Sequence, residues 1–160
     1  MEIRYAVDND LDRVLDLLRT NHVDTISEEE KQNGFVTTNI TKEQLCNLME
    51  AEKGITVAED GDKIVGFALA GSWNFWQPWP LFTYMIEHLK EFELNGETLT
   101  VENSYQYGPV CLDKNIVVQV YLKSFLLFHS KVWLTVFLIW LHLSIKSIHV
   151  LMLLIQEKLI

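Results

Sequence analysis

Four groups of side chains in this sequence are of types that do chemistry, and their spacing limits what each can do. Cys46 and Cys111 are the two cysteines. They have no metal-ligand spacing and no second pair, so they read as two reduced thiols in a cytosolic protein. His129, His142 and His149 have no i,i+4 partner among themselves, so no metal site is expected from them. Glu28-Glu29-Glu30 has the charge to attract a cation, but such a run is ordinarily a solvated loop or the start of a helix. Trp73-Asn74-Phe75-Trp76-Gln77-Pro78-Trp79-Pro80 is dense in rings. Trp73, Trp76 and Trp79 either line a substrate pocket or lid, or plug the edge of the core. The prolines keep the stretch from being a regular helix interior or a central strand.

The elements that must position these groups can be followed along the chain. Met1–Val7 alternates as a strand. Asp8-Asn9-Asp10 offers N-cap chemistry to a helix with Leu11, Val14, Leu15 and Leu18 on one face. Thr41 and Gln44 form the capping box of a second helix, which Gly54 is expected to stop. Ile55–Glu59 and Lys63–Ala70 are strands joined by Asp60-Gly61-Asp62, a strong hairpin signal. Gly66, inside the second of them, marks a bulge or a close backbone approach. Leu81–Phe92 is a third helix with Phe82, Met85, Ile86 and Leu89 on one face, and Asn95-Gly96 is a turn. Thr98–Glu102 and Ser104–Leu112 alternate as strands, the second running out into a polar turn at Asp113-Lys114-Asn115.

The composition breaks at residue 117. Residues 1–116 hold nine basic and twenty-one acidic side chains, a net charge of −12, while residues 117–160 hold four Lys and one Glu. An acidic body argues against a nucleic-acid partner, because nothing offsets the repulsion between like charges. All seven Gly, all three Pro, every Asn and every Asp precede residue 117. A folded segment of 44 residues with none of these turn-formers is unusual. The N-terminus has no apolar h-region of a secretory signal. Taken at face value, the run Val132–Ile145 is a candidate membrane anchor. Its uncharged core of 14 residues is short of a span and needs Lys146 to snorkel. A membrane association is expected only if this tail is genuine.

The order β-α-α-β-β-α-β, with a tight acidic hairpin and a strand ending Val110-Cys111-Leu112-Asp113-Lys114-Asn115-Ile116, resembles the first two-thirds of the GNAT superfamily of N-acetyltransferases. The hairpin Val57–Phe67 looks like that fold's second and third strands, and the strand through Leu112 like its fourth. The resemblance implies an α/β (α+β) domain over residues 1–116. Its sheet would be mixed and mostly antiparallel, flanked by helices, with the C-terminal part missing or replaced by the apolar tail. It implies transfer of an acetyl group from acetyl-CoA to a small-molecule or peptide amine by direct attack, in the cytoplasm, without a metal. Main-chain groups of Val110, Cys111 and Leu112 would hold the acetyl-CoA, and Gly108-Pro109 would form a splay or bulge beside them. Glu102 and Tyr107 are nominated as the base. Glu102 reads more readily as a surface strand carboxylate, Tyr107 equally as a core ring, and Cys111 as a small core residue rather than a nucleophile. The Trp73–Pro80 loop and the first two helices would face the amine. A non-catalytic GNAT-like binding module and a tail-anchored membrane protein are the alternatives.

In that family a phosphate loop of the form Arg/Gln-x-x-Gly-x-Gly/Ala follows the fourth strand, where backbone N–H groups at a helix N-terminus close on the pyrophosphate. Here Val117-Val118-Gln119-Val120-Tyr121 follows, with no Arg and no Gly. β-Branched Val cannot replace Gly where φ must be free. Ile116–Phe125 can be coded ATC GTG GTT CAG GTG TAT TTG AAA AGC TTT. One C inserted after ATC turns the same bases into Ile-Arg-Gly-Ser-Gly-Val-Phe-Glu-Lys-Leu. Residues 117–160 are therefore expected to be an out-of-frame translation, and the chain as written to be impaired.

Overall fold

The computed structural model describes residues 2–94 and 96–113. The expectations for the tail, 117–160, lie outside them. The chain opens with β1 (Glu2–Tyr5), α1 (Leu11–Thr20), α2 (Lys42–Glu52), β2 (Ile55–Asp60) and β3 (Lys63–Gly71). It continues with α3 (Trp73–Trp76), α4 (Pro80–His88), β4 (Glu93–Leu94), β5 (Glu97–Thr98) and β6 (Gln106–Leu112). The main sheet has the order β1-β2-β3-β6, every neighbouring pair antiparallel, and β4–β5 is a separate small hairpin. This is the mixed α+β arrangement expected, an antiparallel sheet flanked by helices.

Local chemistry accounts for most of the elements. Thr41 and Gln44 make the capping box at the start of α2: the Gln44 N–H donates to Thr41 Oγ1 at 3.2 Å, and the Thr41 N–H to Gln44 Oε1 at 2.9 Å. Leu11, Val14, Leu15, Leu17 and Leu18 are the buried stripe of α1. Pro80 sits in the first turn of α4, where its missing N–H costs nothing. In α4, Phe82 and Met85 are buried with Leu89, which lies in a 3-10 turn (Leu89–Glu91) that ends the expected third helix early.

Two boundaries differ from the pattern for physical reasons. The residue that ends α2 in the left-handed region is Lys53, at φ 50°, and not Gly54. Gly54 is needed for proximity instead: a Cβ there would lie 2.1 Å from the Ala70 carbonyl oxygen. The strand expected over Thr98–Glu102 ends at Thr98. Asn103 Oδ1 accepts from the Thr100 N–H at 2.7 Å, and Thr100 Oγ1 from the N–H groups of Glu102 and Asn103, so side chains divert this backbone from a ladder.

The sheet has one face under the helices. The buried residues of all four described helices join Ile55, Val57, Phe67, Leu69 and Cys111 in the larger apolar cluster. A smaller cluster on the opposite face holds Ala58, Val65 and Ala68, with Ile3, Tyr107, Val110 and Leu112 packed against them.

The N-terminal corner is tied by charge. Arg4 donates to both oxygens of Asp10 at 2.6 and 3.1 Å and to Glu59 at 2.7 Å, and the Val7 N–H donates to Asp10 at 2.9 Å. Burial alone would push the Asp10 carboxyl up, but the hydrogen bonds from Arg4 and Val7 outweigh it and hold the carboxyl below its ordinary 3.8. A depressed carboxyl stabilises the fold above its unfolded value and loses that contribution as pH falls through the lower folded one. Asp10→Asn is expected to cost about 1.5–3 kcal/mol at pH 7. Urea midpoints of the variant and the parent should converge as the pH is lowered from 4 through 2. A gap that persists unchanged at pH 2 would contradict this assignment.

Candidate active site

The candidate site is built on β6, whose backbone departs from a regular ladder at one place. Ala68 pairs with Val110, and Ala70 pairs with Tyr107. Two steps along β3 are therefore matched by three along β6, which places one extra residue at Gly108-Pro109. Gly108 has φ +120°, a conformation closed to L side chains, and its peptide bond to Pro109 is cis. The expected bulge is thus present, and it changes which side chains share a face. Tyr107, Val110 and Leu112 all lie with the smaller cluster, although Tyr107 and Val110 are three residues apart. Cys111, opposite Phe67, points into the main core.

The far end of β6 is held by two bonds to Asp113, and a third fixes the arginine that makes one of them. The Asp113 N–H donates to the Val65 carbonyl at 2.7 Å. Arg13 Nη2 pairs with Asp113 Oδ2 at 2.8 Å, and Arg13 Nε donates to the Ile64 carbonyl at 3.1 Å. A second bulge, at Val65 on β3, lies beside this clamp, because Glu59 pairs with Ile64 and Ala58 with Gly66. Gly66 also answers a close approach: a Cβ there would lie 2.4 Å from a methyl of Leu112 and 3.0 Å from the Cys111 carbonyl oxygen.

The near end of β6 is held by a carboxylate. Glu52, in the last turn of α2, accepts from the Ser72 N–H at 2.7 Å and the Ser72 hydroxyl at 2.8 Å, and from the Tyr105 hydroxyl. Burial, with the Glu52 hydrogen bond second, pushes the Tyr105 phenol well above its usual range. One residue on, Gln106 is buried and its amide donates to the Tyr107 carbonyl at 3.1 Å. Clamps at both ends and a buried amide beside the bulge hold the main chain of residues 105–113 in a defined course.

Not all of the residues singled out in the sequence come together here. Val110, Cys111, Leu112 and Tyr107 share the strand. Burial raises the Tyr107 phenol, so this side chain holds its proton at neutral pH and is not a base there. Glu102 lies in the exposed turn that precedes β6 and not on a strand. Trp73 and Trp76 are 1% and 0% exposed and belong to the main core, so these two rings plug the fold and do not line a pocket. Trp73 Nε1 donates to Ser104 Oγ at 2.9 Å. Trp79 is half-buried, its ring nitrogen donating to the Asn39 carbonyl at 2.9 Å. Arg13 and Glu52, which hold the two ends of the strand, have no signature in the sequence.

Burial pushes the Cys111 thiol up to about 12. A thiol so placed is not a thiolate at neutral pH and is a poor nucleophile. Cys111 is expected to resist iodoacetamide at pH 8 in the native chain and to react after unfolding in urea, with modified peptides identified by mass spectrometry. Alkylation of native Cys111 at the rate seen in urea would overturn its placement as a core residue.

No family model matches the sequence, and no characterised protein matches it significantly. Among solved structures the chain is similar to an N-acetyltransferase from Staphylococcus aureus Mu50, at 18% identity and a TM-score of 0.45, over 81% of this chain and 66% of that one. It is similar to a GNAT-like decarboxylase in complex with isobutyryl-CoA, at 15% identity and a TM-score of 0.48, over 85% of this chain and 62% of that one. A ribosomal-protein-alanine N-acetyltransferase from Brucella melitensis aligns at 17% identity and a TM-score of 0.45, over 82% of this chain and 67% of that one. The chain therefore spans just under two-thirds of the length of the first two.

Proposed function

We propose that residues 1–116 are the N-terminal two-thirds of a GNAT N-acetyltransferase domain, which moves an acetyl group from acetyl-CoA to an amine in the cytoplasm. The observation that carries this is the one-residue bulge at Gly108-Pro109, in the last strand of an antiparallel β1-β2-β3-β6 sheet. A bulge leaves one residue of a strand outside the ladder, so its main-chain groups are available to something other than the neighbouring strand. In this reading, main-chain groups of Val110, Cys111 and Leu112 that face away from β3, next to the bulge and on the side of β6 with no neighbouring strand among the described residues, hold the pantetheine arm. A backbone N–H there polarises the thioester carbonyl, as an oxyanion donor does.

The amine nitrogen, once neutral, attacks the thioester carbon. The C–S bond breaks, the thiolate of CoA leaves, and a proton is transferred to it. Tyr107, whose phenol burial raises, fits neither a base at neutral pH nor a strong acid, so the proton that reaches the CoA thiolate is the one lost by the amine. Glu102 remains the carboxylate nominated to take the amine's proton, working from the turn ahead of β6. The half-buried Trp79 is the member of the tryptophan set left to face a small or peptide amine. No side chain has to form a covalent intermediate, in keeping with a buried Cys111.

The chain as written lacks the glycine-bearing loop that would bind the pyrophosphate, so its own activity is expected to be impaired. No described helix is long and apolar enough to cross a membrane. The tail anchor remains a separate reading of residues 117–160, and a non-catalytic binding module a second one for the body. Acetyl-CoA protection in a thermal melt, for the chain as written and for one with the loop restored, separates them. Failure of both chains to respond would sink the acetyltransferase reading.

A further inference from the structure

We propose that the open groove between residues 5–9 and the last turn of α2 is a binding site for a small organic cation with an apolar body, an ammonium head on a ring or short alkyl chain. The groove lies at the β1 edge of the described sheet, and β6 is at the other edge. The site is therefore separate from the function proposed above and does not rest on it.

The walls set the apolar half of the ligand. The groove encloses about 610 Å³ and is lined by Tyr5, Val7 and Asp8 from one segment and by Met49, Glu50 and Lys53 from the other. Small-molecule sites are of this size, roughly 300–1,000 Å³. Tyr5 and Val7 are 43% and 55% exposed, so one short segment holds two large apolar side chains in water. Half-buried Met49 adds a flexible thioether. An apolar body seated here removes that surface from water.

The main chain excludes a strand as the occupant. Terminal strands such as β1 commonly recruit another strand. The Ala6 N–H donates to the Ile55 carbonyl at 2.9 Å, so by alternation the backbone groups of Tyr5 and Val7 face the open edge. The Tyr5 carbonyl accepts from Arg4 Nη1 at 3.1 Å, and the Val7 N–H donates to Asp10 Oδ2 at 2.9 Å. The Val7 carbonyl accepts from the Asp10 N–H at 2.9 Å. An added peptide finds these three groups taken, which leaves a discrete ligand held by side chains.

The charges set the other half. Asp8, Glu50 and Lys53 make no ion pair among the described residues. Glu50 and Lys53 have the i,i+3 spacing at which Asp16 and Arg19 pair at 4.0 Å on α1. Lys53, at φ 50°, has left the helix, and that spacing no longer joins the two heads. The two carboxylates act on one place. The Cys46 thiol, one turn before Glu50, is raised first by its hydrogen bond to Glu50, and the charge of Asp8 adds to it. The C-terminal end of α2 contributes a partial negative charge of its own. Two carboxylates and that helix end outweigh one ammonium, so the groove favours a cation, and the face of an aromatic ring such as Tyr5 attracts one further.

Benzyltrimethylammonium is the probe, titrated into the full chain at low salt and followed by amide shifts in heteronuclear NMR. It has no N–H and cannot be acetylated, so the result is independent of the acetyltransferase reading, which stands or falls on acetyl-CoA. Amides of residues 5–9 and 49–53 are expected to shift, and to stay still with benzyl alcohol or phenylacetate at the same concentration. Asp8→Asn and Glu50→Gln should each weaken binding about two- to fivefold, the range for exposed charge pairs, and Lys53→Gln should tighten it by a similar factor. Gains and losses of opposite sign cannot come from a damaged fold. Equal shifts with benzyl alcohol, an absence of shifts at these residues, or weaker binding in Lys53→Gln would overturn the proposal.

Discussion

Acetyl-CoA is expected to leave the melting temperature of the chain as written unmoved and to raise that of the chain in which one base is restored after the Ile116 codon. A ligand that binds only the native state stabilises it by RT ln(1 + [L]/Kd), about 2.7 kcal/mol at a hundredfold excess over Kd. For a domain of this size each kcal/mol moves the midpoint by about 2–4 °C, so a rise of roughly 5–10 °C is expected for the restored chain. The written chain should not respond, because Val117-Val118-Gln119-Val120 offers neither the free φ of glycine nor a cation for the phosphates. Differential scanning fluorimetry with CoA-free and acetyl-CoA-saturated samples reads both arms. A clear rise for the written chain would contradict the account of residues 117–160.

Trp76→Ala is expected to cost about 3–5 kcal/mol, the range for emptying a buried aromatic site. Trp76 is fully buried, with the rings of Phe75, Phe82 and Trp79 at centroid distances of 4.8, 4.7 and 5.7 Å. The two buried tryptophans should separate in a milder substitution. Trp73 Nε1–H has a partner in Ser104, so Trp73→Phe loses a hydrogen bond and leaves the hydroxyl one bond short. Trp76 Nε1–H has no hydrogen-bond partner among the described residues. Trp76→Phe therefore loses ring volume but also removes a buried donor that nothing satisfies. Urea denaturation should find Trp73→Phe the more damaging of the two. The reverse order would mean that the Trp76 nitrogen has an acceptor.

What was legible in the sequence was local. The Thr41–Gln44 box, the Asp60–Lys63 hairpin and the faces of α1 and α4 are set by neighbours within a turn or two. Their patterns survive folding intact. Even the bulge had a local mark, because Gly-Pro inside an alternating strand has few other uses. Three features were not legible, each because it depends on a distant partner or on competing local bonds. Arg13 and Asp113 are 100 residues apart in sequence, and nothing in either neighbourhood announces the pair. Gly54 looked like a helix stop, since the Ala70 carbonyl that forbids a side chain there comes from another strand. Thr98–Glu102 alternates like a strand, but Thr100 and Asn103 satisfy its backbone with their own side chains. The tryptophan stretch had two open readings, and only packing could choose between them: it sent Trp73 and Trp76 inward and left Trp79 at the rim.

The extra residue at Gly108-Pro109 also bears on how this strand can vary in length over evolutionary time. Elsewhere in β6 the gain or loss of one residue would turn half the strand inside out, exchanging core and outer faces. Between Tyr107 and Val110 the loss of one residue would leave them two apart and still on one face. The sheet and its apolar clusters would survive, and the main-chain irregularity would vanish. Drift by deletion thus has a single tolerated position in this strand. Lineages that took it would keep a foldable protein and give up the feature on which the proposed chemistry depends.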